Sequence, residues 1–416
     1  LGDVYKRQME HTETSWKRKL LVTVSLCINL GLLCYFKYTN FFYEMLAPLW
    51  NGSFQPLDIF LPVGISFFTF QSLSYTLDVY RRDLKPLDHL LDYVFYVSFF
   101  PQLVAGPIVR ARDFISQIRQ PLVVTNEMFG RGVFFIVSGL FKKAVISDYI
   151  SVNFVERIFD NPGLYSGLEN LMGIYGYALQ IYCDFSGYSD MAIGIALLLG
   201  FHFPLNFNSP YKSDSVTDFW HRWHISLSTW LRDYLYISLG GNRKGKIRTY
   251  INLILTMLLG GLWHGASWNF VVWGGLHGVA LAVHKFFRNL MYRPKNYRST
   301  GFRKFFAVIL TFHFVCLGWI FFRNTTFEDS LTMIQQVFTA FHPELAGQLF
   351  AGYWEVFVLM GVGYLLHWCP DSWQEACTKG MIRLPLIFQA LILILLIFLV
   401  IQVKSSDIQP FIYFQF

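Results

Sequence analysis

His264 lies in a run of 36 residues, Thr249 to His284, that contains no Lys, Arg, Asp or Glu. An imidazole in such a stretch costs free energy unless it is solvated or paired, which marks it as a functional candidate. Its ordinary pKa of about 6.5 lets it take up and return a proton near neutral pH, the service a hydroxyl nucleophile needs from a general base. In a helix its side chain leans back over Gly260 and Gly261, which either leave space around the ring or serve close helix packing. His224, 40 positions earlier in the run WHISLS, is the second candidate. Asp184 and Asp190, in YCDFSGYSDMAIG, raise the same question, because an Asp at a bilayer centre costs roughly 2.5–3.5 kcal/mol. Both are expected to line a polar interior with Ser186 and Tyr188 as hydrogen-bonding partners; the competing reading has an Asp capping a helix broken at Gly187. Arg243, Lys244, Lys246 and Arg248 follow Gly240 and Gly241 within six positions. They suit either a topology anchor or a site for a phosphate-bearing ligand.

The elements that must position these groups are membrane helices. Hydrophobic residues make up 54% of the chain and charged ones 15%, with a mean hydropathy of +0.38, which excludes a disordered chain and points away from a soluble domain. Apolar stretches of spanning length, about 20 residues, lie at Leu20–Phe36, Ile59–Tyr80, Leu90–Val109, Gly130–Ile150, Leu168–Phe203, Tyr250–Phe287, Phe305–Phe322, Ala351–Trp368 and Leu384–Val403. They predict an all-α polytopic fold of roughly 9–11 transmembrane or re-entrant helices. Pro, Gly or Asp in the third and fifth stretches predicts broken or re-entrant helices there. In DFWHRWHISLSTWLRDYLYISLGGNRKGKIR, a helical reading puts Trp220, Trp223, Leu227 and Trp230 at i, i+3, i+7 and i+10, with His221, His224, Ser228 and Arg232 on a neighbouring polar stripe. That pattern predicts an amphipathic helix in or near the interface.

Several function classes drop out. The formal net charge of +7 belongs to loop topology rather than to nucleic-acid binding. Cysteines 27, 34, 183, 316, 369 and 377 form no CxxC pair, so neither a disulfide framework nor a zinc site is expected. His221 and His224 stand at i, i+3 without an HExxH pattern or a carboxylate partner, so no metal is expected. No Gly-x-Ser-x-Gly elbow supports a hydrolase-type serine enzyme. No cleavable signal peptide is evident, and Leu20–Phe36, preceded by Lys17, Arg18 and Lys19, reads as a retained first helix. A secondary transporter shares this composition and its buried Asp and His, and stays open on those grounds.

The ordered set PQLVAGPIVR, GLFKKAVISD, YCDFSGYSDMAIGIALLLGF, FWHRWHISLSTWLRDYLYISLGGNR, GGLWHGASWNFVVWGGLHG and FIYFQF resembles the membrane-bound O-acyltransferase family, from about Leu20 to Phe416. The branch it looks most like holds alginate O-acetyltransferases, related to the teichoic acid D-alanyl transfer proteins. The resemblance implies helices around a central tunnel, through which an acetyl group passes from acetyl-coenzyme A in the cytoplasm to an extracytoplasmic polysaccharide. It places the family's invariant His at His264 and the second catalytic position at His224; with that chemistry, the basic run of Arg243, Lys244, Lys246 and Arg248 is read as the site for the donor's phosphates on the cytoplasmic side, against the topology anchor. No tightly bound cofactor is implied. The implied partners are a periplasmic acyltransferase, the polysaccharide and membrane lipid, at a bacterial plasma membrane; nucleic acid is not among them. Another cell-envelope, lipid or protein acceptor, including D-alanylation, is the alternative. His221 stands where many relatives have Arg or Lys, which counts against a donor-phosphate role there. Residues 1–8 are read as a non-native leader and 9–416 as a single domain lacking the N-terminal helices usual in the family.

Overall fold

The computed structural model describes residues 14–50, 55–103, 106–292 and 299–403, so the leader and the terminal FIYFQF lie outside the described residues. Among those residues there is no strand, and the helices are α1 (Ser15–Leu46), α2 (Ile65–Arg81), α3 (Leu90–Ser98), α4 (Ala111–Ile118), α5 (Asn126–Leu140), α6 (Gly167–Leu198), α7 (Val216–Arg222), α8 (Ile225–Trp230), α9 (Lys246–His264), α10 (Trp268–Leu290), α11 (Gly301–Arg323), α12 (Phe327–Thr339), α13 (Ala346–Gly352), α14 (Trp354–Trp368), α15 (Asp371–Arg383) and α16 (Leu386–Val403), besides short single turns. The chain is an all-α polytopic membrane protein.

Among the described residues, four helices are long and apolar enough to cross a membrane, and up to five if the segment Pro343–Gly352 and α14, bent by 92°, form one broken span. The other apolar stretches form shorter or more polar helices, such as α2 with 17 residues and α5 with 15 before its π-helical continuation. The fifth stretch became α6, 32 residues buried on nearly every face, which touches protein rather than lipid and so carries Asp, Ser, Gln and Tyr. It runs unbroken through Gly187, contrary to expectation, whereas the third stretch is broken after Ser98 as expected.

Two close crossings organise the bundle. Helices α5 and α6 approach at Gly132 against Gly194 and Gly139 against Gly187, where an added methyl would meet the opposing carbonyl. Beyond Leu140 the chain stays helical to Asp160 through two π-helical stretches, Phe141–Ser147 and Ser151–Val155. Helices α9 and α10 form an antiparallel hairpin joined by three residues and closed by Gly261, Gly274 and Gly278.

Hydrogen bonds show which helix ends share a face. Arg18 donates to the Tyr80 carbonyl, Arg81 to the Asp233 carbonyl, and Asn252 to the Gly241 carbonyl. The start of α1, the end of α2 and the start of α9 therefore lie together. Lys285 of α10 joins them through Asn242, and Ser299 joins through Asp214. This face carries Arg18, Arg81, Arg110, Arg243, Lys244, Lys246, Arg248, Lys285 and Lys304. The opposite helix ends carry Glu156, Asp160, Glu169, Glu328 and Asp329 beside the basic residues Lys37, Arg157 and Arg323.

Candidate active site

The segment predicted as one interfacial amphipathic helix is two short helices broken at His224. Its backbone turns left-handed there (φ 41°), a conformation His tolerates better than most residues. The break carries His224 out of the polar stripe and into the core, with no accessible surface, and Trp220, Trp223, Leu227 and Trp230 are buried with it. His221 stays exposed. The periodicity was right for the tryptophans but blind to the break, because nothing in WHIS resembles a Gly or Pro breaker.

Buried polar groups need partners, and His224 finds them on one side of its ring. Its Nδ1 lies 3.2 Å from Asn206 Oδ1, which also accepts from the Ser226 backbone N–H (3.1 Å) and hydroxyl (2.9 Å). Asn206 Nδ2 donates to Ser189 Oγ on α6 (3.0 Å), and Ser226 Oγ accepts from the Ile108 N–H (2.9 Å). The far face of the ring meets the edge of Phe185, with centroids 4.5 Å apart.

His264 ends α9, where the rings of Trp263, Trp273 and Phe322 surround it at centroid distances of 5.0–5.1 Å. Trp263 also stands 6.4 Å from the ring of His224, so one indole touches both imidazoles. Lys37, His224 and His277 are close enough to act electrostatically on His264. The last carbonyls of a helix carry partial negative charge and lack intrahelical donors. Here α1 supplies them: Lys37 Nζ donates to the carbonyls of Trp263 (2.7 Å) and His264 (2.8 Å), and the Tyr38 hydroxyl to that of Leu262 (2.5 Å). Sequence reasoning missed both residues, whose one signal was a lone cation directly after an apolar run. The two glycines before His264 divide the roles proposed for them. A methyl on Gly261 would collide with the Phe270 carbonyl, whereas one on Gly260 would meet only the end of the Leu231 side chain at 3.1 Å.

Asp184 and Asp190 are buried on α6, and each pairs with a lysine of the π-helical stretch Phe141–Ser147. Lys142 Nζ lies 2.5 Å from Asp190 Oδ2, and Lys143 Nζ lies 2.5 Å from Asp184 Oδ1 and 2.7 Å from Asp148 Oδ1. The unbroken α6 also removes the cap reading at Gly187, whose task is the close approach to Gly139. A carboxylate in low dielectric gains more from a cation than from a hydroxyl, which explains these pairings. Ser186 is buried and Tyr188 half-buried on the same helix.

Two cavities share Leu231 in their walls. One of about 340 Å³ opens among His221, Arg232, Ser228, Thr229, Thr256 and Met257 on the basic face. Along α9, Thr256 in its wall lies on the same helix face as Gly260 and His264, one and two turns further on. The other, of about 750 Å³, is apolar and runs between α1, α2, α8 and α9 past Trp263. At the basic rim Asp233 pairs with Arg110 at 2.7 Å. Burial pushes its carboxyl pKa up, but hydrogen bonds from Arg232 and Arg110 outweigh this and hold it below the usual value. Arg243, Lys244, Lys246 and Arg248 are exposed on the turn before α9 and at its start. At 1.5 Å per residue, Lys246 is about 27 Å along the axis from His264. Among the described residues no cluster of His, Cys, Asp and Glu is arranged to hold a metal ion.

Residues 86–327 match the model of the membrane-bound O-acyltransferase family, MBOAT. Among curated proteins, the chain is 40% identical to the peptidoglycan O-acetyltransferase of Helicobacter pylori, over 79% of this chain and 66% of that protein. It is 44% identical to the probable alginate O-acetylase AlgI of Azotobacter vinelandii (76% and 62%) and 37% identical to that of Pseudomonas putida (96% and 84%). The matched region thus spans slightly less than two thirds of the first two relatives.

Proposed function

Because the chain belongs to the membrane-bound O-acyltransferase family, we propose that it is an O-acetyltransferase of a bacterial plasma membrane. In this reading it takes the acetyl group of acetyl-coenzyme A at the cytoplasmic face and delivers it toward an extracytoplasmic polysaccharide such as alginate. A periplasmic acyltransferase partner would complete the transfer. The carrying observation is the pair of buried imidazoles, His264 and His224, both against Trp263. The concentration of Lys and Arg on the basic face supports a cytoplasmic assignment for it by the positive-inside rule.

The chemistry is that of acyl transfer. His264 accepts the proton of the attacking hydroxyl as its oxygen bonds to the thioester carbonyl carbon; the carbon–sulfur bond then breaks and the thiolate leaves with the proton. His224 orients the hydroxyl or shares its proton, and the aromatic wall excludes water that would hydrolyse the thioester. Lys37 and Tyr38 hold the end of α9 and so the position of the base.

In proteoliposomes supplied with acetyl-coenzyme A on the basic side and polysaccharide on the other, His264→Ala should abolish acetyl transfer and thiol release while the protein inserts normally. His224→Ala should lower turnover about 10²-fold or more. Near-normal turnover by well-folded His264→Ala overturns the reading. The Helicobacter pylori relative makes peptidoglycan the competing acceptor; acetylation of muropeptides but not alginate in this assay would select it.

A further inference from the structure

We propose that Asn206 is a positioning residue that fixes the proton of neutral His224 on Nδ1 and leaves Nε2 as the ring's hydrogen-bond acceptor and proton-receiving atom. The inference rests on the acyl-transfer reading above and deepens it.

Which end of the Asn206 amide faces the imidazole follows from a backbone donor. The Ser226 N–H can only donate, so the amide atom 3.1 Å from it is the oxygen. The amide nitrogen then faces Ser189 Oγ at 3.0 Å and is satisfied there. Because Oδ1 can only accept, the His224 nitrogen 3.2 Å away must carry a hydrogen; two lone pairs would otherwise face each other in a buried site. The Ser226 hydroxyl cannot supply an alternative, since its shorter contact is to the same Oδ1 (2.9 Å, against 3.4 Å to His224 Nδ1) and its lone pair takes the Ile108 N–H. A neutral imidazole protonated at Nδ1 has its lone pair at Nε2. That atom is fully buried with no hydrogen-bond partner in the protein, on the side of the ring away from Asn206.

The surroundings make this selection rigid. Asn206 has no accessible surface, and its own carbonyl accepts the Ile225 N–H (2.8 Å), binding the loop to the break that exposes the ring. The left-handed backbone at His224 is the strained element that this network holds in place. In the reaction, the Nε2 lone pair accepts the hydrogen bond of the attacking hydroxyl and shares its proton with His264, the base, as the oxygen–carbon bond forms and the carbon–sulfur bond breaks. The Nδ1–H bond to Asn206 keeps the ring from flipping and presenting the wrong nitrogen. Asn206 touches neither donor nor acceptor, so its effect belongs in turnover rather than in donor affinity.

The full chain, labelled with 15N-histidine and held in nanodiscs, gives a test that needs no substrate. One histidine, identified by its loss in His224→Ala, should show a pyrrole-type Nδ1 and a pyridine-type Nε2. A pyrrole-type Nε2 in the unmodified protein overturns the proposal. Asn206→Leu should lower kcat about 10²-fold or more, with the KM for acetyl-coenzyme A within about twofold. Asn206→Asp keeps an acceptor for Nδ1–H and should restore at least a tenth of the turnover. Normal kcat in a folded Asn206→Leu protein, beside an inactive His224→Ala, refutes the positioning role and leaves the acyl-transfer reading standing. Absence of acetyl transfer in the unmodified chain refutes that reading, while the nitrogen assignment still decides the tautomer.

Discussion

Replacing Asp190 by Asn should cost far more stability than replacing Asp184 by Asn, although the two carboxylates are six residues apart on one helix and both are buried. The difference lies in what each leaves behind. Among the described residues Lys142 pairs with Asp190 alone, at 2.5 Å, so Asp190→Asn strands an ammonium between α6 and the π-helical stretch after α5. Removing one partner of a buried pair costs about 3–5 kcal/mol, because the remaining charge keeps its desolvation penalty and loses its compensation. Lys143 faces Asp184 at 2.5 Å and Asp148 at 2.7 Å. Asp184→Asn therefore leaves it paired, and the loss is that of one charge-assisted hydrogen bond, about 1.5–3 kcal/mol. Removing both partners in the double variant Lys142→Met, Asp190→Leu should recover most of the stability lost by either single change. Reversible unfolding in mixed micelles measures the two Asn variants, the double variant and its two single-change parents. Equal costs for the two Asn variants, or a double variant no better than its parents, would refute the assignment of partners. A stable double variant that has lost acetyl transfer would show that the pair also serves the transfer route.

The cap on α9 predicts that Lys37→Met lowers turnover and destabilises the protein by about 1.5–3 kcal/mol, and that Lys37→Arg recovers part of both; unchanged turnover in a folded Lys37→Met protein would separate the cap from the base it is meant to hold. Neutralising two of Arg243, Lys244, Lys246 and Arg248 should raise the KM for acetyl-coenzyme A with little change in kcat, and rising salt should act the same way because the four are exposed. Misinsertion with an unchanged KM in the surviving protein would make them a topology anchor instead.

The residues that were legible in the sequence are those whose type conflicts with their neighbourhood. His264 stood out from a long uncharged run, and Asp184 and Asp190 from an apolar one. Their partners were harder to see, because a partner is a fact about two distant segments. Lys142 and Lys143 stand in the apolar stretch Gly130–Ile150 and answer the two aspartates of Leu168–Phe203, yet no spacing rule links residues 142 and 190. Asn206 is a polar residue in a loop, indistinguishable by composition from any turn residue; only the break at His224 makes it the ring's acceptor. Which of the apolar stretches meet lipid was harder to read for a related reason. Hydropathy reports what a segment touches, and α6 touches protein on nearly every side, so its length and its polar residues do not speak to lipid contact.

Three buried devices in this chain answer one problem, the cost of polar groups where water is scarce. Lysines neutralise the aspartates of α6, an asparagine saturates one side of His224, and a lysine from α1 caps the carbonyls at His264. Each also fixes a distance. Helix α9 is held at its start by Thr249 and Asn252 against the Gly241 and Gly245 carbonyls, at its end by Lys37 and Tyr38, and along its side by Gly261 against α10. It is a spacer of about 27 Å between the exposed cations and the imidazole. If the cations bind donor phosphates, the reactive carbon of the donor has to lie far from those phosphates on an extended arm. A donor whose acyl carbon sits beside its phosphate could engage the cations or the base, but not both at once. Selection for a long-armed donor would then come from the length of one clamped helix, since binding energy gained at the cations aids the chemical step only when the acyl group also arrives at His264.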